Sequence, residues 1–314
     1  MGGSGGGGTL QFSADELRVL REEAQRRLDE SRKDAEINAY LANELIALND
    51  RDTNLVNKRL EAVEEALEDT TQEFDRVLFG GSVAKHTYVD GLSDIDALVV
   101  LDSSVARDDP NDMRAAVERS LRRRLEMSDV AEISTGRMAV TVKYRDGMEL
   151  QLLPAVERSG RLAVSSADGK EWAEIQPREF SDQLSRLNKR QAGAVVPTIK
   201  LAKAIVAHTI EEEGRPSGYH MEALATRAFE SYDGPRTLKA MLERFFDSSS
   251  GEVLKPLSDV TGQSQYLDGA LGPARSAHRV ELGRRLAAIA DRVRGARSTK
   301  DWRELLGDEG RDKG

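Results

Sequence analysis

The stretch Phe79-Gly80-Gly81-Ser82-Val83-Ala84-Lys85 and, after the segment Val83 to Ser93, the triplet Asp94-Ile95-Asp96 decide the fold and the chemistry of this chain. Asp94 opens a run to Leu101 that alternates and then turns wholly apolar, which reads as a buried strand. In a strand, residues i and i+2 point to one face. The carboxylates of Asp94 and Asp96 therefore converge, while Ile95, Ala97 and Val99 fill the other face. Two like charges that close are costly to bury unless a cation compensates them. Oxygen ligands of this kind suit Mg²⁺ or Mn²⁺. Taken alone, Asp-x-Asp reads more readily as an exposed strand end that caps a turn.

Upstream, Arg76 to Phe79 reads as a short strand that runs into two glycines and a short helical segment. Glycine lets the backbone approach a ligand closely, and the free N–H groups at a helix start make an anion site. Ser82 either caps that helix or donates to a phosphate oxygen. Gly-Gly-Ser alone is also a common linker. Together the two elements set a phosphate cradle beside a metal-binding pair, which is the arrangement phosphoryl transfer needs. The cradle orients a triphosphate, and metal ions bridge its oxygens and activate the attacking hydroxyl. Within the cradle turn, His86 and Asp90 read as local structural residues.

Working outward, Met1 to Gly8 is low in complexity, and residues 1–12 are expected to be a flexible tail or linker. Ser13 and Glu16 form a capping box. It predicts a helix from Ala14 to about Arg32 with the stripe Leu17, Leu20, Ala24, Leu28. A second helix, Ala35 to about Asn49, carries Ile37, Leu41, Leu45 and Leu48, and a third covers Leu55 to Leu67. These helices are expected to brace the core or to join copies of the chain into a homo-oligomer. Asn111 to about Met127 predicts another helix, and Ala131 to Ser134, Arg137 to Tyr144 and Met148 to Leu153 predict strands. Asp146-Gly147 is the hairpin signal between the last two. From Pro177 the pattern is helical: 178–188, 190–212, 217–231, 235–247 and 273–295, with Pro197 kinking the second or marking its true start. The fold class is α+β. Residues 13–160 are expected to hold the N-terminal helices and the catalytic sheet, and residues 161–314 a C-terminal helical domain.

The chain has 314 residues, 39% of them hydrophobic and 32% charged, which suits a helix-rich globular protein. No stretch approaches the ~20 apolar residues of a membrane span. The absence of cysteine removes disulfides and thiolate metal sites. A cytoplasmic location is expected. The net charge of −9 argues against coating a long nucleic acid, which calls for a basic face. Small phosphorylated ligands held by a few placed cations fit better.

The segment Gly80 to Asp96 resembles the hG[GS]…DhD signature of the DNA polymerase β-like nucleotidyltransferases, and within them the cGAS/DncV-like nucleotidyltransferases. The resemblance covers about residues 35–300. It implies a polymerase β-like catalytic sheet, NTP or dNTP substrates and two Mg²⁺ or Mn²⁺ ions. It also implies a nucleotide product that signals to a downstream effector in bacterial anti-phage defence. Asp94 and Asp96 take the role of catalytic metal ligands, and Gly80, Gly81 and Ser82 that of the nucleotide cradle.

Three further segments resemble the family. Glu149-Leu-Gln-Leu-Leu-Pro-Ala155 resembles the strand that carries its third metal carboxylate. That position here is Gln151, which is neutral. Glu149 lies two residues earlier, on the same face of the strand, and replaces the missing acid if its side chain reaches. Lys200 and Lys203 resemble the family's triphosphate contacts; two solvated lysines are the plain alternative. Pro216-Ser-Gly-Tyr219 resembles a Ser-Tyr segment in which the ring stacks on a base and the hydroxyl meets a phosphate. Tyr219 would be that ring, or a core tyrosine. Ser217 stands one place early, because Gly218 occupies the usual serine position. The expected function is an oligonucleotide synthase with a cyclic or short linear product. The competing readings are an enzyme that tails RNA ends and a catalytically weak nucleotide sensor.

Overall fold

The computed structural model describes residues 13–49, 53–68, 74–79, 95–101, 109–125, 128–136, 138–158, 160–166, 171–258 and 267–308. The N-terminal helix α1 (Ala14–Asn49) begins where its capping box sets it. Ser13 N–H donates to Glu16 Oε2 at 2.7 Å, and Glu16 N–H donates to Ser13 Oγ at 3.2 Å. The break expected near residue 33 is absent, and α1 is one helix of 36 residues. Ser31-Arg-Lys-Asp34 holds neither Gly nor Pro, so nothing withdraws a backbone donor there. Lys239 reinforces the join, its Nζ donating to Asp34 Oδ1 at 2.6 Å and its N–H to Asn38 Oδ1 at 3.0 Å.

Helix α2 (Thr53–Glu68) and strands β1 (Phe74–Phe79) and β2 (Ile95–Leu101) follow. Then come α3 (Pro110–Arg124), β3 (Val130–Thr135), β4 (Val140–Tyr144) and β5 (Glu149–Arg158). The sheet order is β1-β2-β5-β4-β3. Only the β2–β5 pairing is parallel among those described; the rest are antiparallel. The hairpin turn forms as expected, with Gly147 at φ 92° and its N–H donating to Tyr144 O at 3.0 Å. Strands β2 and β5 alternate as their sequences require. Ala97, Val99, Leu101, Leu150 and Leu152 meet α2 and α3, while Leu98, Val100 and Ala155 face a smaller cluster on the other side. Arg59 pins α2 to the hairpin region, paired with Asp129 and Asp146 at 3.1 and 2.9 Å and lying 3.9 Å over the Tyr144 ring.

The sheet continues past the division expected at residue 160. Strands β6 (Arg161–Ser165) and β7 (Trp172–Ile175) extend it from β5, so that boundary falls inside the sheet. Both are too short, and too interrupted by charge, for their periodicity to show. Helices α4 (Pro177–Arg190), α5 (Val195–Thr209), α6 (Gly218–Phe229), α7 (Leu238–Glu252), α8 (Ala277–Gly295) and α9 (Thr299–Leu306) then share one core. Pro197 lies in the first turn of α5 and marks its start, where a missing N–H costs nothing. Ile37 and Leu41 of α1 are buried in this helical core and not under the sheet.

Between α7 and α8 the chain is held by a buried guanidinium. Arg279, fully enclosed, pairs with Asp268 at 2.6 Å and donates to the carbonyls of Gly272, Val253, Lys255 and Asp268. Its planar fork serves five acceptors at once, more than the three donors of a lysine could.

Candidate active site

Gly80, Gly81, Ser82, His86, Asp90 and Asp94 lie outside the described residues. The strands that carry this segment are placed. Strand β1 ends at Phe79, beside Ala97 of β2, so the segment leaves and re-enters the sheet at neighbouring positions. The parallel register then sets Asp96 beside Gln151, and Ile95 beside Leu150. The neutral residue at the family's third acidic position is therefore the strand neighbour of Asp96.

Glu149, two residues earlier on β5, is half-buried and stands opposite Lys143 of β4. Lys143 Nζ lies 2.6 Å from its Oε1. The hydrogen bond and charge of Glu149 raise the Lys143 pKa, and the charge of Glu212 adds to this. Glu212 belongs to the short turn Glu212–Gly214 between α5 and α6, which thus lies near the β4 side of the site. Glu149 and Gln151 offer oxygen donors that suit a hard cation. The ammonium of Lys143 already compensates Glu149, so a metal ion there would have to displace it. Among the described residues, no three acids or histidines converge on a point.

The other half of the site forms where α5 meets α6. Lys203 is buried at 5% exposure and pairs with the fully enclosed Glu222 at 3.1 Å. The Cβ of any residue replacing Gly218 would stand 3.3 Å from Lys203 Nζ, so the ammonium reaches the first turn of α6. Glycine at this place leaves room for a cation where a serine would crowd it. Ser217 caps α6, its hydroxyl accepting from His220 N–H at 3.2 Å. Tyr219 is half-buried, edge-on to Phe180 with ring centroids 4.7 Å apart. Lys200 meets Asn49 at the end of α1 and is partly exposed. Lys203, Ser217 and Tyr219 are thus gathered at one helix start, and Lys200 sits one turn earlier on α5.

Sequence reasoning missed Lys143 and Glu222. A count from the two-residue turn Asp146-Gly147 sets Tyr144 against Glu149; the loop is one residue longer, 145–147, and that brings Lys143 opposite Glu149 instead. Glu222 stands in the apolar run Met221 to Ala225, and a lone acid there asks for a buried cation.

Residues 34–188 match the family described as the Second Messenger Oligonucleotide or Dinucleotide Synthetase domain. The chain carries that synthetase domain. It is a nucleotidyltransferase, and the family makes oligonucleotide or dinucleotide second messengers. Solved structures show the same fold. The CD-NTase CdnG of Bradyrhizobium diazoefficiens in complex with GTP superposes with a TM-score of 0.63 at 17% identity, covering 87% of this chain and 96% of that one. CdnC of E. coli MS115-1 with ATP gives 0.62 at 16% identity, covering 84% and 92%. A variant of the Vibrio cholerae dinucleotide cyclase DncV with ATP and GTP gives 0.62 at 12% identity, covering 96% and 92%. No curated protein matches the chain. No described helix is long and apolar enough to cross a membrane.

Proposed function

We propose that this synthetase joins nucleotides from NTPs or dNTPs into a cyclic or short linear oligonucleotide. The product would signal to a downstream effector in cytoplasmic anti-phage defence. The observation that carries the reading is the parallel β2–β5 register, which sets Asp96 beside Gln151 and close to Glu149 in a chain that carries this domain. Asp94 stands two residues before Asp96 in the sequence. Asp94, Asp96 and Glu149 are then the acids of the site. Gly80, Gly81 and Ser82 cradle the triphosphate, Lys203 and Lys200 meet its phosphates, Ser217 orients them and Tyr219 stacks on a base. The acceptor hydroxyl loses its proton, its oxygen bonds to the α-phosphorus, and pyrophosphate leaves with the electrons of the broken bond. Two Mg²⁺ or Mn²⁺ ions, when bound, supply the positive charge that lets the acids and phosphates share the site. The acidic net charge and the bound nucleotides of the superposed structures support small substrates over an RNA end.

A second reading, the weak nucleotide sensor, draws on Gln151 and on the Lys143–Glu149 pair, which together leave the site short of one free acid. Labelled NTPs and dNTPs, incubated with the protein and Mg²⁺ or Mn²⁺, separate the two. Wild type is expected to form phosphatase-resistant or oligomeric product, and Asp96→Asn to lose at least about a hundredfold in rate. Glu149→Gln should fall similarly, and Gln151→Asp in that background should recover part of the loss. Nucleotide binding without product under either metal would leave the sensor reading standing.

A further inference from the structure

Among the described residues, the exposed large apolar side chains are Leu17, Val19, Leu20, Leu28 and Ile46, and all five belong to α1. Four of them fall on one line. At about 100° per residue, the positions reached from Leu17 by steps of three, four and four stay on one face as far as Ile46. Every one is Leu, Ile, Ala or Ser, and every one is exposed. An eleven-residue repeat drifts little on a straight helix, so this stripe runs some 44 Å along α1 without winding round it. It lies roughly a third of a turn away from Ile37 and Leu41, the residues that pack on the helical core. The stripe is therefore not an extension of that packing face. Charged residues fill most of the remaining exposed surface of α1.

The stripe is complementary to itself when reversed. Its ends are large and its C-terminal half is mostly alanine. Laid antiparallel about Ser31, Leu17 meets Ile46 of the partner subunit, Leu20 meets the partner's Ala42 and Leu28 meets the partner's Ala35. Along the middle of the seam, at Leu20 and Leu28, large side chains then fall on alanines, which lets two helices approach to the usual 8–10 Å, and Leu17 and Ile46 close its ends. The flanking charges agree with the same register. Arg27 comes within about one residue's rise of the partner's Asp34, a carboxylate that also holds Lys239, and Asp29 within the same distance of the partner's Arg32, each pairing occurring twice by symmetry.

We propose that α1 is a dimerisation helix that pairs antiparallel, through this stripe, with α1 of a second copy of the chain. The inference stands apart from the catalytic reading. Leu20→Glu with Leu28→Glu places four like charges in the seam and touches no buried residue. Sedimentation equilibrium between about 1 and 200 µM is expected to show a concentration-dependent dimer for wild type and a monomer for the double variant, with unchanged thermal unfolding at low concentration. The chain has no cysteine, so orientation can be read directly. Ser31→Cys should cross-link to its own copy on oxidation, and Leu17→Cys should not, because its counterpart lies at the far end of the partner helix. A monomer at every concentration, or a dimer that survives the double variant, overturns the proposal. Equal cross-linking at both positions overturns the antiparallel register.

Discussion

Exchanging Lys203 and Glu222 together for methionine is expected to restore most of the stability that either single exchange removes, and none of the nucleotidyl transfer. The two groups form a pair with almost no exposure, at 3.1 Å. Removing one partner strands a charge in the core and costs about 3–5 kcal/mol, whereas replacing both by apolar residues of similar volume is often neutral. Stability alone would make the pair look dispensable. Activity separates the roles, because the Lys203 ammonium reaches the first turn of α6, where Ser217 and Tyr219 sit. In the proposed reaction it meets the triphosphate there, and its loss should lower kcat/KM by about a hundredfold or more. Glu222 acts through Lys203, as a positioning residue. Glu222→Gln keeps an acceptor and should be milder than Glu222→Met in both readouts. Denaturant midpoints and nucleotide titrations of the four proteins check this. A double variant that is stable and fully active would reduce Lys203 to a structural residue.

Arg279→Met should cost about 3–5 kcal/mol, because it strands the Asp268 carboxylate and leaves carbonyls at Gly272, Val253 and Lys255 without their donor. The urea midpoint should fall sharply, and proteolysis should begin between α7 and α8. An unchanged midpoint would mean that the loop holds by other contacts. The same centre gives stability a pH dependence. His220 lies 3.5 Å from Asp268, yet its Nε2 makes no hydrogen bond. Burial pushes its pKa well below the ordinary histidine range; the Asp268 charge opposes this and the Arg279 charge adds to it. We take the imidazole as neutral, because Asp268 is already committed to Arg279 at 2.6 Å. For Asp268 itself, burial alone would raise the pKa, but the hydrogen bonds from Arg279 and the Leu257 N–H outweigh it and leave it lowered. A histidine whose folded pKa lies below its unfolded value is protonated first in the unfolded chain. Its contribution is whole above about pH 6.5 and is lost as the pH falls below that. The midpoint should therefore drop between pH 7.5 and pH 5, and His220→Gln should flatten the drop. A wild-type midpoint that is level across that range would show His220 to be protonated in the folded protein.

The sequence by itself determined the family and the outline of the fold. Gly80-Gly81-Ser82 with Asp94-Ile95-Asp96 carried the resemblance that the family match bears out, and the patterns of Asp94 to Leu101 and Met148 to Leu153 predicted the two central strands. These signals are local: a turn, a period or a cap needs only a few neighbouring residues. Even the short α9 carries its own local signal, the capping box of Ser298 and Asp301. What only the tertiary structure decided is which residues meet across distance. Glu149 is answered by Lys143, Lys203 by Glu222, and Asp268 by Arg279, each on a separate element. Sequence gave each of these side chains a charge and a face. Whether a charge is solvated, paired or aimed at a ligand depends on the dielectric and the partner that packing brings to it. The same holds for α1, whose two apolar faces look alike in sequence until packing buries Ile37 and Leu41 and leaves Leu17, Leu20 and Leu28 in water.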